Sequence, residues 1–362
     1  MAIKKILILG HGKIGGLLAH ILTNLKFDIY IIDQVDIKDS PFKTFKVDLS
    51  KLDEAKKIIR DEKIDTIISC LPFHINKRIS ELAAELELNY FDPTEDVETT
   101  HHIQKISQNS KQIFMPQNGL APGFIGILGN HLASLCDDGE AEHLRLRVGA
   151  LPENPIGTLG YSCNWSIDGL INEYIQNSEI VENNKIITVP SLERVEQLKI
   201  EGVNYESFLT SGGVGTLLDD LKDRIKNINY KTIRYPGHLE RIKFILNELK
   251  LKNNRELLRE IFSNALPPND SDRVLIHASV IGNFSKVKKT KTLTAIYPPK
   301  EVFGKEATAI AWTTAGSIAA IIEIFATERL KKEGFVELND ISLEDFLNTT
   351  TGKLFVTDEI KV

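Results

Sequence analysis

Three glycines and one carboxylate carry the first chemistry. Gly10, Gly12 and Gly15 follow the apolar run Ile6-Leu7-Ile8-Leu9 in the spacing G-x-G-x-x-G, and helical spacing resumes from Leu17 to Leu25. A strand that turns sharply at Gly10, admits a pyrophosphate at Gly12 and packs helix on strand at Gly15 has no room for side chains at those points. The phosphates rest on free backbone N–H groups at the positive end of the helix. Lys13 and Ile14 complete this cofactor-binding turn, although no lysine charge is required. A second strand, Ile29-Tyr30-Ile31-Ile32, ends in Asp33, about twenty residues on, where a carboxylate meets the adenine ribose hydroxyls. The same charge repels a 2′-phosphate, so NAD is the expected cofactor and NADP is disfavoured.

Arg234 and His238 are the side chains best suited by type to act on a substrate. A guanidinium holds a carboxylate through two parallel hydrogen bonds, and Arg234 stands beside the turn-forming Pro236-Gly237. An imidazole exchanges protons near neutrality, which makes His238 the expected base, with a core or capping histidine as the alternative. Asp92, ahead of Pro93, reads either as a catalytic carboxylate at the crevice or as a turn carboxylate. Trp165 and Tyr235 read as the walls of a slot for an alkyl chain or as core packing. Of Glu173 and Tyr174, one is expected to face the cleft.

Alternating strand and helix patterns place these groups. Strands are expected over Phe42 to Val47, ending at Asp48 near the adenine; over Asp65 to Leu71, cut off by Pro72; over Asn89 to Asp92; and over Gln112 to Pro116. With helices between them, they make a Rossmann-type, doubly wound α/β parallel sheet of six strands. Its strands' carboxyl ends border the crevice, so Cys70, Leu71 and Pro72 are expected beside the cofactor, with Asp92 and the Asn118-Gly119 turn converging there. Gly119 to Phe124 forms a loop that launches a helix over Ile125 to Leu135, and Gly119 and Pro122 are expected on the substrate side. The domain boundary falls here. The remainder, with candidate strands at Leu144 to Val148, Ile186 to Val189 and Val274 to Val280, implies a second, α+β domain with a mixed sheet.

The chain has 362 residues, 42% of them apolar, which suffices for two cores. Its net charge of −6 argues against nucleic acid or an anionic membrane as partner. The basic run Lys286 to Lys291 reads as a solvated hairpin edge. Ala307 to Ala326 is broken by Thr313, Thr314, Ser317 and Glu323, and reads as a buried helix rather than a span. Cys70, Cys136 and Cys163 are too scattered for a redox or metal pair, which fits a cytoplasmic protein, and the apolar stretch after Lys4-Lys5 is too short for a secretion signal. His101 and His102 are adjacent instead of four apart, so no metal site is expected.

Several further segments resemble the saccharopine dehydrogenase-like family, in particular its lysine 6-dehydrogenase and saccharopine reductase branches. They are Gly10 to Gly15, Cys70-Leu71-Pro72, Tyr90-Phe91-Asp92, Gly119 to Gly123, Leu151-Pro152, Asn164 to Tyr174, Thr210 to Gly213 and Arg234 to His238. The resemblance implies an NAD(P)-dependent oxidoreductase acting on an amino-acid C–N bond, with lysine, saccharopine or a related secondary amine as small-molecule substrate. It also implies a homodimer built on the second domain. The division that follows is an NAD-binding domain over 1–119, a substrate-binding and dimerisation domain over 120–306, and over 307–362 a helix returning to the first domain plus a tail. Gly213-Val214-Gly215 and the tail from Leu343 to Val362 depart from the family pattern, which bears on substrate identity. The competing readings are a short-chain reductase, disfavoured because no tyrosine has a lysine four residues later, and a nucleotide-binding sensor or assembly protein of the same fold without turnover.

Overall fold

The computed structural model describes residues 3–327, 329–330 and 333–361. Met1, Ala2, Glu328, Lys331, Lys332 and Val362, which fall within ranges named above, lie outside them. The first domain runs β1 (Lys5–Leu9), α1 (Lys13–Asn24), β2 (Asp28–Asp33), β3 (Lys43–Lys46), α2 (Leu52–Glu62), β4 (Thr66–Ser69), α3 (Phe73–Glu85), β5 (Asn89–Phe91), α4 (Val97–Ser107) and β6 (Ile113–Met115). Alternation in β1 sends Ile6 and Ile8 into one apolar cluster and Leu7 and Leu9 into another, so helices cover both faces.

The second domain begins with α5 (Phe124–Ser134). It continues through β7 (Ala141–Pro152), α6 (Ile167–Ile175), β8 (Ser178–Glu182), β9 (Lys185–Val189), β10 (Glu196–Ile200), β11 (Val203–Leu209), α7 (Leu217–Leu221), β12 (Ile225–Arg234), α8 (His238–Lys243), α9 (Arg255–Ala265), β13 (Asp272–Phe284) and β14 (Val287–Tyr297). Its mixed sheet has the order β10-β11-β12-β7-β13-β14, with β8 joined to β12 and β9 to β8. The lysine run lies on β14 at the edge of this sheet, after a turn at Ser285-Lys286.

A hairpin of β15 (Lys300–Val302) and β16 (Lys305–Ala307) then leads into α10 (Ala309–Ala326). By length and composition α10 could cross a membrane, but 78% of it is buried, and it packs on α1 and β13 as a core helix. The tail adds β17 (Gly334–Phe335) and α11 (Leu343–Leu347). β17 pairs with β6, so the first sheet has seven strands, β17-β6-β5-β4-β1-β2-β3, all parallel, instead of the six expected.

Candidate active site

The glycine turn is built as its spacing requires. Gly10 takes φ +92°, and a Cβ on Gly15 would lie 2.0 Å from the Gly10 carbonyl oxygen, so neither position accepts a side chain. A Cβ on Gly12 would meet nothing within 4 Å, and no side chain caps α1. The amide end of the helix is therefore open where Gly12, Lys13, Ile14 and Gly15 line a cavity of about 520 Å³. These residues fit a dinucleotide pyrophosphate. Cys70, Leu71 and Pro72 form the adjacent wall; burial pushes the Cys70 thiol up to about 12, so it acts as surface and not as a nucleophile.

Asp33 stands at the end of β2, outside the cavity wall, and fastens the turn. Its Oδ2 accepts the His11 N–H at 2.7 Å and its Oδ1 the Val35 N–H at 2.9 Å. Asp48 is exposed beyond β3 and closes a local turn by accepting the Ser50 N–H at 2.9 Å, which holds its carboxyl below the usual range. Lys13 points across the domain gap, 4.0 Å from Asp270, in an exposed pair worth little.

The opposite end of the cavity is made by side chains of the second domain. Strand periodicity sets Tyr230, Thr232 and Arg234 of β12 on the cavity side. Arg234 is buried; its Nε–H donates to Tyr174 Oη at 3.2 Å, an Nη1–H to the Ile233 carbonyl at 2.9 Å and another to Thr232 Oγ1. The guanidinium lies 4.4 Å from the Tyr161 ring centre and 3.4 Å from Glu173 Oε2. Glu173 is delivered by α6, whose start is capped by Ser166 accepting the Gly169 N–H at 3.1 Å. Burial pushes the Glu173 carboxyl up to about 7, with Arg234 opposing and Glu95 reinforcing the shift. Trp165 lines the cavity and donates its Nε1–H to Tyr161 Oη at 3.0 Å.

Besides Asp33 and Asp48, four further expected residues stand outside the cavity wall. His238 does not line the cavity: it is buried behind Tyr174, donating Nδ1–H to the Leu159 carbonyl at 2.8 Å and accepting the Tyr174 hydroxyl at Nε2, 2.9 Å away. Burial, reinforced by Arg234, lowers its pKa to about 3. It is a neutral positioning residue at the end of the chain Arg234–Tyr174–His238, and the expected base role does not fit. Asp92 is fully buried beneath the crevice, its Oδ1 accepting the Thr94 N–H at 2.7 Å, and burial pushes its carboxyl up to about 7. The turn reading describes it, not the catalytic one. Tyr235 is buried outside the cavity with its hydroxyl near the carbonyls of Pro152 and Glu153, at 3.0 and 2.9 Å. Pro122 is buried behind Ala121, which lines the cavity together with Gly119.

The cavity also holds groups that sequence reasoning passed over, above all Glu95, with Thr94, Tyr161, Cys163 and Tyr230. Glu95 follows β5 in an acidic loop at the carboxyl edge of the first sheet, the position that singled out Asp92; the same rule extended three residues would have included it. Among the described residues, no set of three His, Cys, Asp or Glu side chains comes together to hold a metal.

A glycine turn open to a cavity whose far wall is a second domain's sheet defines a two-domain oxidoreductase of the pyridine-nucleotide class. The saccharopine dehydrogenase NADP binding domain matches residues 6–115 and the saccharopine dehydrogenase C-terminal domain residues 119–354, and the chain belongs to the saccharopine dehydrogenase family. Its fold is similar to that of apo saccharopine dehydrogenase (L-Glu forming) from Saccharomyces cerevisiae, with a TM-score of 0.74 and 15% identity over 95% of each chain. Looser similarity, at a TM-score of 0.44 and 10% identity, extends to GenD2 from gentamicin A biosynthesis in complex with NAD, over 98% of this chain and 93% of that one. A probable dehydrogenase from Thermotoga maritima has the same TM-score and identity, over 96% and 94%.

Proposed function

We propose that the protein is an NAD-dependent dehydrogenase acting on the C–N bond of an amino acid: lysine, saccharopine or a related secondary amine. The observation that carries the reading is a buried guanidinium, Arg234, facing a cavity that runs unbroken to the glycine turn. A substrate carboxylate docks on the Nη2 end of Arg234, the nitrogen not already donating to Tyr174, Ile233 and Thr232, and displaces the weak contact from Glu173. Tyr161 and Trp165 flank the aliphatic chain, and Leu71 and Leu120 exclude water from the reacting carbon. A dinucleotide with its pyrophosphate held by Gly12, Lys13, Ile14 and Gly15 would supply, through its nicotinamide, the acceptor for the hydride of that carbon. Water then adds to the iminium carbon, and the carbonyl product and free amine separate. Asp33 supports NAD over NADP, because a carboxylate there accepts ribose hydroxyls and repels a 2′-phosphate.

The test is nicotinamide absorbance with NAD or NADP against L-lysine, saccharopine and carboxylated polyamines, run in both directions. Reduction of NAD by at least one amine, at a higher kcat/KM than with NADP, is expected. Tight NAD binding without turnover of any of them would leave a nucleotide-binding sensor in place of an enzyme, and a clear preference for NADP would remove the specificity assigned to Asp33.

A further inference from the structure

The dehydrogenase reading needs a group to take the proton that a substrate ammonium sheds before its carbon can release hydride, and the inference here rests on that reading. Most ionisable side chains on the cavity are unsuited. Lys13 belongs to the nucleotide end, and Glu173 stands 3.4 Å from Arg234, at the end of the cavity that takes the substrate carboxylate. Burial pushes the Cys70 and Cys163 thiols up to about 12 and holds the Tyr161 and Tyr230 phenols protonated. His238 stands behind the wall. Glu95 remains: it reaches the cavity, and among the described residues no cation pairs with it.

Close packing from the second domain fixes where Glu95 stands. A Cβ on Gly169 of α6 would lie 2.5 Å from Glu95 Oε1, and a Cβ on Gly212 would lie 2.4 Å from the Glu95 carbonyl oxygen. The two glycines are notches, one for the side chain and one for its backbone. Through them the second domain closes on a loop of the first, beside the Gly119-Leu120 wall. We propose that Glu95 is the catalytic base, standing in the notch at Gly169 and taking the proton from the substrate ammonium whose carboxylate Arg234 holds. In that step the N–H bond breaks, an O–H bond forms on Glu95, and the freed lone pair drives the C–H electron pair toward the nicotinamide.

The charged groups facing Glu95 are Asp92 and Asp96 on its own loop, Glu173 on α6 and, beyond Glu173, Arg234 on β12. Burial first, then Asp96 and Asp92, push its carboxyl up to about 7. A base must be ionised, so kcat/KM rises with pH and levels off above about 7. With an amine that the wild type oxidises, Glu95→Gln is expected to lower kcat by about a hundredfold or more and to abolish that acidic limb, with NADH affinity by fluorescence unchanged. Glu95→Asp retains the limb at a reduced rate. Gly169→Ala, whose Cβ would meet both the Glu95 carboxyl and the Trp165 ring, lowers kcat as well and serves if Glu95→Gln does not fold. A wild-type rate and pH profile in Glu95→Gln or in Gly169→Ala would overturn the assignment while the dehydrogenase stands. Absence of amine oxidation by the wild type would overturn both.

Discussion

The two ends of the cavity are made of different materials. At the nucleotide end the binding groups are backbone amides of one contiguous segment, and what the sequence must supply is the absence of side chains at Gly10 and Gly15, with Gly12 left open toward the cavity. At the substrate end the binding groups are side chains of β12, α6 and the loop after β5, far apart in the chain, each stabilised by the others. A backbone site tolerates charge changes around it and fails on the addition of a methyl group. A side-chain site accepts changes of shape more readily and fails on the loss of one charge, because the buried partner is left uncompensated.

Gly15→Ala is the harshest test of this contrast. Its Cβ would meet the Gly10 carbonyl oxygen at 2.0 Å, and the obstruction is backbone, so the turn itself must move. NADH affinity should fall by on the order of a hundredfold, the equivalent of overpacking by a few kcal/mol. A fluorescence titration giving the wild-type Kd would mean that the dinucleotide does not lie on this turn.

Arg234→Ala should spare that end and damage the other. Glu173 loses the charge that opposes its upward shift, so its carboxyl moves further up and is protonated at neutral pH. KM for a carboxylate-bearing substrate should rise by about a hundredfold, with a smaller change in kcat and an unaltered NADH Kd. Arg234→Lys should recover little, since an ammonium cannot reproduce the fork. A steady-state KM that does not move would take Arg234 out of the pocket.

The same division explains what could be read in the sequence. β1, the turn, α1, β2 and Asp33 are local, and period, glycine spacing and one carboxylate specify them without reference to the remainder of the chain. β17 is two residues long and pairs only because the tail returns to β6, so no local pattern marks it. α10 is apolar on all sides, and its period could not say which face meets α1. β12 was legible in principle: Asn227, Asn229 and Lys231 alternate with Ile228, Tyr230 and Thr232, and that strand sets Arg234 on the same side as Tyr230. Residue type alone marks His238, but whether an imidazole is a base depends on burial and on its hydrogen-bond partners, which come from Leu159 and Tyr174. Glu95 reads locally as part of the acidic approach to α4, where Asp96 caps the helix by accepting the Thr99 N–H at 2.8 Å. Only Gly169 and Gly212, from another domain, distinguish it.

The smallest effect belongs to a residue whose type suggested the slot and whose position places it outside. Tyr235→Phe removes one hydroxyl, which in the folded protein reaches the Pro152 and Glu153 carbonyls and not the cavity. The ring stays, tilted against Tyr205 at a centroid distance of 5.4 Å, so no void opens. The expected cost is about 1 kcal/mol of stability, that of one buried neutral hydrogen bond, seen as a lower denaturant midpoint at unchanged m-value. KM and kcat should stay at wild-type values, in contrast to Arg234 one residue earlier, because alternation along the extended chain turns neighbouring side chains to opposite sides. A several-fold rise in KM without loss of stability would return Tyr235 to the substrate slot and show that the cavity extends beyond β12.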